Sequence, residues 1–272
     1  MAVLTESRPA ADGPILVCHD LRLAFEGLVV LDHVSFSVLP GQLFAIIGPN
    51  GAGKTSVFNC LSGVYHPQGS INFLGRELVG MPPHRIAAMG IARTFQNVAL
   101  FDRMTVLDNL LLGRHHRISY GPLLALLRVG PARRQEDEHR RVVEAIIEFL
   151  EIEAHRRTPV GLLPFGIRKR VELGRALAMD SSLLLLDEPV AGMNLEETED
   201  MARFILDVQE ELHLPIILVE HEMRMVMDLA DLVLVLDFGR PVALGTPEAI
   251  QHNPDVIRAY LGQEHAEIGG AT

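Results

Sequence analysis

The sequence predicts an α/β fold with a mainly parallel sheet and helices on both faces. Three observations carry that expectation. Gly48-Pro49-Asn50-Gly51-Ala52-Gly53-Lys54-Thr55 fits the phosphate-binding pattern G-x-x-x-x-G-K-[ST], set between a strand-like and a helix-like run. From Ile167 onward, helical and strand-like stretches alternate, as they do in βαβ units. Between these parts, residues 98–163 have helical character, an insertion into the alternating pattern.

The elements follow in order. Met1–Pro14 reads as a loose leader. From Ile15 the pattern is β-like: Val34, Phe36 and Val38 alternate with Ser35 and Ser37, and Pro40-Gly41 turns the chain into an apolar strand over Leu43–Ile47. Ser56–Leu61 opens a helix that stops at Gly63. Ile71 and Phe73 alternate again before a turn at Gly75. Pro82-Pro83 starts a short helical piece ending at Gly90, and Ile91–Phe95 reads as a strand ending at Gln96. Thr105–Leu112 is helical and stops at Gly113; Gly121–Val129 is dense in leucine and breaks at Gly130-Pro131. Val142, Ile146, Phe149 and Leu150 fall at helical spacing in a charged segment. A packed helical subdomain accounts for this region better than helices lying on a membrane surface. Ile167–Met179 is a helix and Leu183–Leu186 a buried strand. Asn194 caps a long helix to about Glu211, with Glu197 three residues later as in a capping box. Pro215–Glu220 and Leu232–Leu236 are further strands, and Asp237-Phe238-Gly239 is a hairpin turn rather than a kinase motif, since no catalytic-loop partner precedes it. Thr246-Pro247 and Asn253-Pro254 each pair a capping residue with proline at the first helical position.

Composition narrows the function. The 272 residues are 48% hydrophobic and 22% charged, an ordinary globular balance. A net charge of −11 argues against a nucleic-acid partner, which calls for a basic face. Cys18 and Cys60 have no near partner in sequence, which suits free thiols in a reducing compartment. No apolar run reaches the roughly 18 residues of a spanning helix, and the first residues lack the apolar core of a signal peptide. The expectation is a soluble intracellular chain.

The phosphate pattern carries its own chemistry. Glycines let successive backbone N–H groups turn inward on phosphate oxygens. Lys54 supplies a charge for the β- and γ-phosphates, and the Thr55 hydroxyl is a ligand for Mg²⁺. The helix that follows aims its positive end at the same anion. Gly48, Asn50, Gly51, Ala52, Gly53, Lys54, Thr55 and Ser56 are therefore the candidate nucleotide contacts. Such a loop needs a carboxylate on a neighbouring strand, and Leu183-Leu184-Leu185-Leu186-Asp187-Glu188 supplies two acids at a strand end. His221-Glu222 begins like a zinc-protease helix, but Met225 stands where the second histidine belongs, so no zinc site is expected.

With these residues in order, the chain resembles the ATP-binding subunit of ABC transporters over nearly its whole length. The resemblance implies ATP and Mg²⁺ as ligands. It assigns Asp187 to Mg²⁺ with Thr55, Glu188 to the attacking water as general base, and His221 to the γ-phosphate. It places Gln96, after Ala92-Arg93-Thr94-Phe95, where a glutamine touches Mg²⁺ and water and hinges the helical subdomain. Phe25 stands where adenine is stacked, and Ala191-Gly192-Met193-Asn194 where the chain passes between two subunits. The signature motif, usually Leu-Ser-Gly-Gly-Gln, is here Leu163-Pro164-Phe165-Gly166-Ile167. Pro164 has neither the hydroxyl nor the amide hydrogen that grips the opposite subunit's ATP, leaving the Gly166 amide and a helix N-terminus for that role.

Ala92–Asn97, Val219–Met223 and the Ala259-Tyr260-Leu261-Gly262 tail resemble the branched-chain (hydrophobic) amino-acid uptake branch; lipopolysaccharide-export relatives share that tail style. The implied partners are integral-membrane permease subunits, a second ATPase subunit and, indirectly, a solute-binding protein, at the cytoplasmic face of the membrane. A soluble ABC ATPase acting on ribosomes or DNA is the rival reading, and the single cassette and acidic balance count against it. The expected organisation is a leader over 1–14, an ATPase domain over 15–250 and a tail over 251–272. Within the domain, 15–96 and 167–250 form the ATP-binding core with an N-terminal antiparallel β part, and 97–166 the inserted helical subdomain.

Overall fold

The computed structural model describes residues 13–94, 99–117 and 131–260. The chain opens with a hairpin of β1 (Leu16–Phe25) and β2 (Leu28–Val38), then enters a second sheet at β3 (Leu43–Ile47), followed by α1 (Lys54–Leu61). β4 (Gln68–Phe73) and β5 (Arg76–Glu77) return to the first sheet. Then come α2 (Pro83–Ala88), β6 (Ile91–Arg93), α3 (Val106–Gly113), α4 (Pro131–Phe149), α5 (Phe165–Ala178) and β7 (Leu183–Asp187). The remainder is α6 (Leu195–Leu212), β8 (Ile216–Val219), α7 (Met223–Leu229), β9 (Leu232–Asp237), β10 (Arg240–Gly245) and α8 (Pro247–Gln251), with a last helix over 254–260.

The two sheets answer to two kinds of sequence. The four-stranded sheet, in the order β2-β1-β4-β5, is antiparallel throughout. Its strands alternate buried and exposed residues because one face meets the core and the other meets water. The six-stranded sheet runs β10-β9-β3-β8-β7-β6 and is parallel except for its β10 edge. Its inner strands β3, β7 and β8 are buried at every position, as a parallel sheet covered on both faces requires. Alternate residues serve opposite cores. Leu183, Leu185, Ile217 and Val219 join the cluster that holds α1 and the antiparallel sheet, while Leu184, Leu186, Ile216 and Leu218 join α3–α7. The expected helices on both faces are thus found, with the antiparallel sheet sharing the cover on one side.

Several boundaries differ from the sequence reading. α1 begins at Lys54 rather than Ser56, because Gly53 takes a left-handed conformation at the N-cap and starts the helix directly on the loop. α5 begins at Phe165 rather than Ile167, with Pro164 as its N-cap, a position where the missing amide hydrogen costs nothing. β6 ends at Arg93, although Thr94 still donates its amide to Leu185. α7 was not expected from the sequence at all. Phe238 and Gly239, both at positive φ, make the two-residue turn between β9 and β10 that the twist of a hairpin favours. The leucine-rich stretch 121–129 and most of the leader lie outside the described residues.

Candidate functional site

Three parallel strands end side by side and place the candidate residues at their carboxyl ends, where open α/β sheets bind ligands. After β3, the chain turns through Gly48 so closely over the sheet that a Cβ there would lie 2.1 Å from the Leu236 carbonyl oxygen. Gly48 also has φ +150, so no other residue fits this loop without moving β9. Gly51 and Gly53 take positive φ as well, and the loop delivers Lys54 to the first turn of α1. The Lys54 ammonium is buried and donates to the Gly48 and Pro49 carbonyls at 2.6 and 3.0 Å, spanning the loop mouth. Burial pushes its pKa below the ordinary lysine value, while Glu188, Asp187 and Glu220 push it back up. Asn50 and Thr55 are exposed at the loop, and Ser56 is half-buried.

β7 ends in the two acids. Asp187 is buried, and its amide donates to the Thr94 hydroxyl at 3.3 Å. Glu188 follows at φ 48, a strained conformation for a residue with a side chain and one that clusters at functional sites. Its amide donates to Val219 at 2.9 Å, and the buried Lys169 ammonium of α5 reaches its carbonyl at 3.5 Å. After β8, Glu220 and His221 complete the group. His221 Nδ1 stands 3.9 Å from a Glu188 oxygen and 3.8 Å from a Glu220 oxygen, with the imidazole 57% exposed to the cleft. Glu220 is fully buried and accepts the amides of Val190 and His221 at 3.3 and 3.1 Å. Burial pushes its pKa up, against the pull of those hydrogen bonds.

The structure therefore gathers Lys54, Thr55, Asp187, Glu188 and His221 around one cleft. Phe25, at the end of β1, is 43% exposed and meets the Tyr65 ring edge-on at 5.0 Å, leaving ring surface for a planar base. Gly166 lies apart, in the first turn of α5 and buried under Glu197: a Cβ there would come 2.5 Å from the Glu197 carboxylate. That carboxylate takes part in the capping box of α6, so an anion at the start of α5 would have a negative neighbour. Gln96 lies outside the described residues. The donor set suits a hard cation, since the Thr55 hydroxyl and the Asp187 carboxylate are both oxygen ligands, and Mg²⁺ takes one or two protein groups beside phosphates. Sequence reasoning missed Glu220 and Arg93. Both stood inside quoted motifs, and only the fold shows what they touch.

A phosphate cradle facing two carboxylates across a parallel sheet, joined to an antiparallel sheet and a helical insertion, defines an ATPase of the ATP-binding cassette class. Residues 31–191 match the ABC transporter family. The chain belongs to that family, and its activity is ATP hydrolysis. Residues 240–266 match a second family, described as branched-chain amino acid ATP-binding cassette transporter. A high-affinity branched-chain amino acid transport ATP-binding protein, BraF of Pseudomonas aeruginosa, is 41% identical over 251 residues, covering 92% of this chain and 98% of the relative. A probable branched-chain amino acid transport ATP-binding protein of Archaeoglobus fulgidus is 34% identical over 255 residues, covering 93% and 98%. Among solved structures, the ADP conformation of an ATP-binding cassette from an ABC transporter superposes with a TM-score of 0.80 at 29% identity, covering 92% of this chain and 99% of the other.

Proposed function

We propose that the chain powers import of branched-chain amino acids, or a similar hydrophobic amino acid or amide, as the ATPase subunit of a membrane complex. The observation that supports the cargo is the family match over 240–266 together with the two relatives named for such transport. The chain works at the cytoplasmic face of the membrane, held there by permease subunits and paired with a second ATPase subunit. No helix among the described residues is long and apolar enough to cross a membrane itself. A groove of about 570 Å³ between core and helical subdomain, lined by Val64, Ile86, Phe101, Leu112 and Met179 among others, supports a permease docking there. The organisation into leader 1–14, core 15–96 and 167–250, helical subdomain 97–166 and tail 251–272 belongs to the same proposal. The described part of that tail packs Val256 and Tyr260 onto Ala45 and Ile47 of the core.

The chemistry is mainly positioning and charge stabilisation. Backbone amides of the loop over 50–56 and the Lys54 ammonium cradle the β- and γ-phosphates, and Phe25 stacks the adenine. Thr55, Asp187 and Gln96 would hold Mg²⁺, which when bound would neutralise charge on the phosphates. Glu188 accepts a proton from the attacking water while His221 orients the γ-phosphate. The Gly166 amide and the start of α5 are the part offered to a partner subunit's nucleotide, an approach that requires the Glu197 carboxylate now lying over Gly166 to move aside. Glu188→Gln keeps the shape and removes the base. ATP binding should persist while turnover falls by about 10² to 10⁴, read by a phosphate-release assay; near-normal turnover would remove Glu188 from this role. The transport reading is tested by affinity capture of the tagged chain from mild detergent. Two polytopic membrane proteins and a second ATPase are expected, and ribosomal or chromosomal partners without membrane proteins would overturn it.

A further inference from the structure

Arg93, at the end of β6, has no part in the phosphate cradle, yet its side chain is only 9% exposed and reaches the metal-side acid. One nitrogen of its guanidinium donates to Asp187 Oδ2 at 2.8 Å. Another donates to Asn59 Oδ1 at 2.8 Å and to Ser62 Oγ at 3.0 Å, and the fork lies 5.5 Å over the Phe58 ring. Phe58, Asn59 and Ser62 all stand on or directly after α1, the helix that carries Lys54 and Thr55. The planar fork is thus held on three sides by the phosphate-loop helix while its fourth contact fixes a carboxylate on β7.

We propose that Arg93 is a positioning residue for the metal site. It locks the Asp187 carboxylate to the α1 frame, so that Oδ2 is committed to Arg93 and Oδ1 is the oxygen left for a cation. The inference rests on Asp187 being the metal-side acid. Two features make the geometry specific. Arginine presents several donors in a rigid plane, so it can hold Asn59, Ser62 and Asp187 at once, which the single ammonium of lysine cannot. The pair is buried, with Asp187 4% exposed, so removing the cation leaves the acid free to rotate or to find another donor.

The test uses the full chain carrying Glu188→Gln, with Mn²⁺ as the probe. The ratio of ATP affinity with Mn²⁺ to that in EDTA reports what the protein contributes to the metal. Partners that orient metal ligands typically contribute 10–100-fold, so Arg93→Met should lower the ratio about tenfold while leaving EDTA affinity nearly unchanged. The signal of bound Mn²⁺ by electron paramagnetic resonance should broaden, and Arg93→Lys should recover part of the loss. An unchanged or raised ratio in folded Arg93→Met overturns the proposal. Asp187→Asn separates the two readings. If it loses the Mn²⁺ enhancement and Arg93→Met does not, Arg93 alone is wrongly placed; if it keeps the enhancement, the metal-site reading falls as well. Should Arg93→Met fail to melt cooperatively, the Asn59→Ala, Ser62→Ala pair loosens the fork with the ion pair intact. That pair must show a smaller loss in the same direction, and no loss overturns the proposal.

Discussion

Glu220 shows how a single buried acid organises the cleft without facing a ligand. Its carboxylate accepts amides from Val190, beyond β7, and His221, beyond β8, and so clamps two loops that carry site residues. Burial raises its pKa, so the folded state holds the proton more tightly than the unfolded chain does. The unfolded state then binds fewer protons through that window, and stability falls as pH rises from the ordinary glutamate value to the raised one. Glu220→Gln removes that dependence. Its melting temperature relative to the parent should be lowest at acid pH and rise toward neutrality, as measured by scanning calorimetry from pH 4 to 8; a difference that is flat with pH would show that Glu220 does not titrate differently on folding. Residues such as Asp187 and Glu188 were legible in the sequence because two acids closing a run of four leucines mark a buried strand's exit. Glu220 and Arg93 were not, because their partners lie 30 and 94 positions away and only the sheet order brings them together.

At the scale of elements, the α6 N-terminus is the best-specified piece of local structure. Asn194 accepts the Glu197 amide at 3.0 Å, and Glu197 returns the contact to the Asn194 amide at 3.1 Å. Asn194→Ala should destabilise the protein by about 1 kcal/mol, within a range of about 0.5–2. For a domain of this size that lowers the melting temperature by about 2–4 °C; no shift would mean that the cap is redundant. The same box sets the environment of α5, since the Glu197 carboxylate it fixes lies against Gly166. The two start sites, Pro164 and Asn194, differ in kind: proline shapes the entry of α5 by its fixed φ, whereas asparagine satisfies an open amide. The capping box was readable from residue spacing. α7 was not, because Met223–Leu229 has neither a capping side chain nor an acidic first turn to announce it.

For the whole molecule, nucleotide binding should be visible as stability. A ligand held at about 100 times its dissociation constant adds about 2.7 kcal/mol to the folded state, equivalent to a rise of roughly 5–10 °C in a domain of this size. Glu188→Gln with ATP and Mg²⁺ should show that rise by differential scanning fluorimetry, and EDTA should reduce it without abolishing it, since the proposed cradle of loop amides and Lys54 needs no metal to attract phosphate. Equal melting points with and without EDTA would argue against a metal in the site. The acidic balance of −11 does not oppose binding of a polyanion, because Lys54 and the loop amides are gathered at the proposed phosphate site.

The sequence by itself determined the class of fold, the glycine-rich loop pattern, the two acids that close β7, the candidate His221 and the resemblance to one family. Each of these is a local signal: a spacing, a run of apolar residues or a motif read along the chain. Tertiary structure alone decided which strands lie side by side, and with that which distant side chains meet. The parallel order β3-β8-β7 sets Lys54 among Asp187, Glu188 and Glu220, and the pairing of β6 with β7 lays Arg93 against Asp187. The reason is physical. Hydrophobic periodicity says which face of a strand is buried, but strand order depends on how crossovers pack against the whole sheet, a property of the assembled chain and not of any segment.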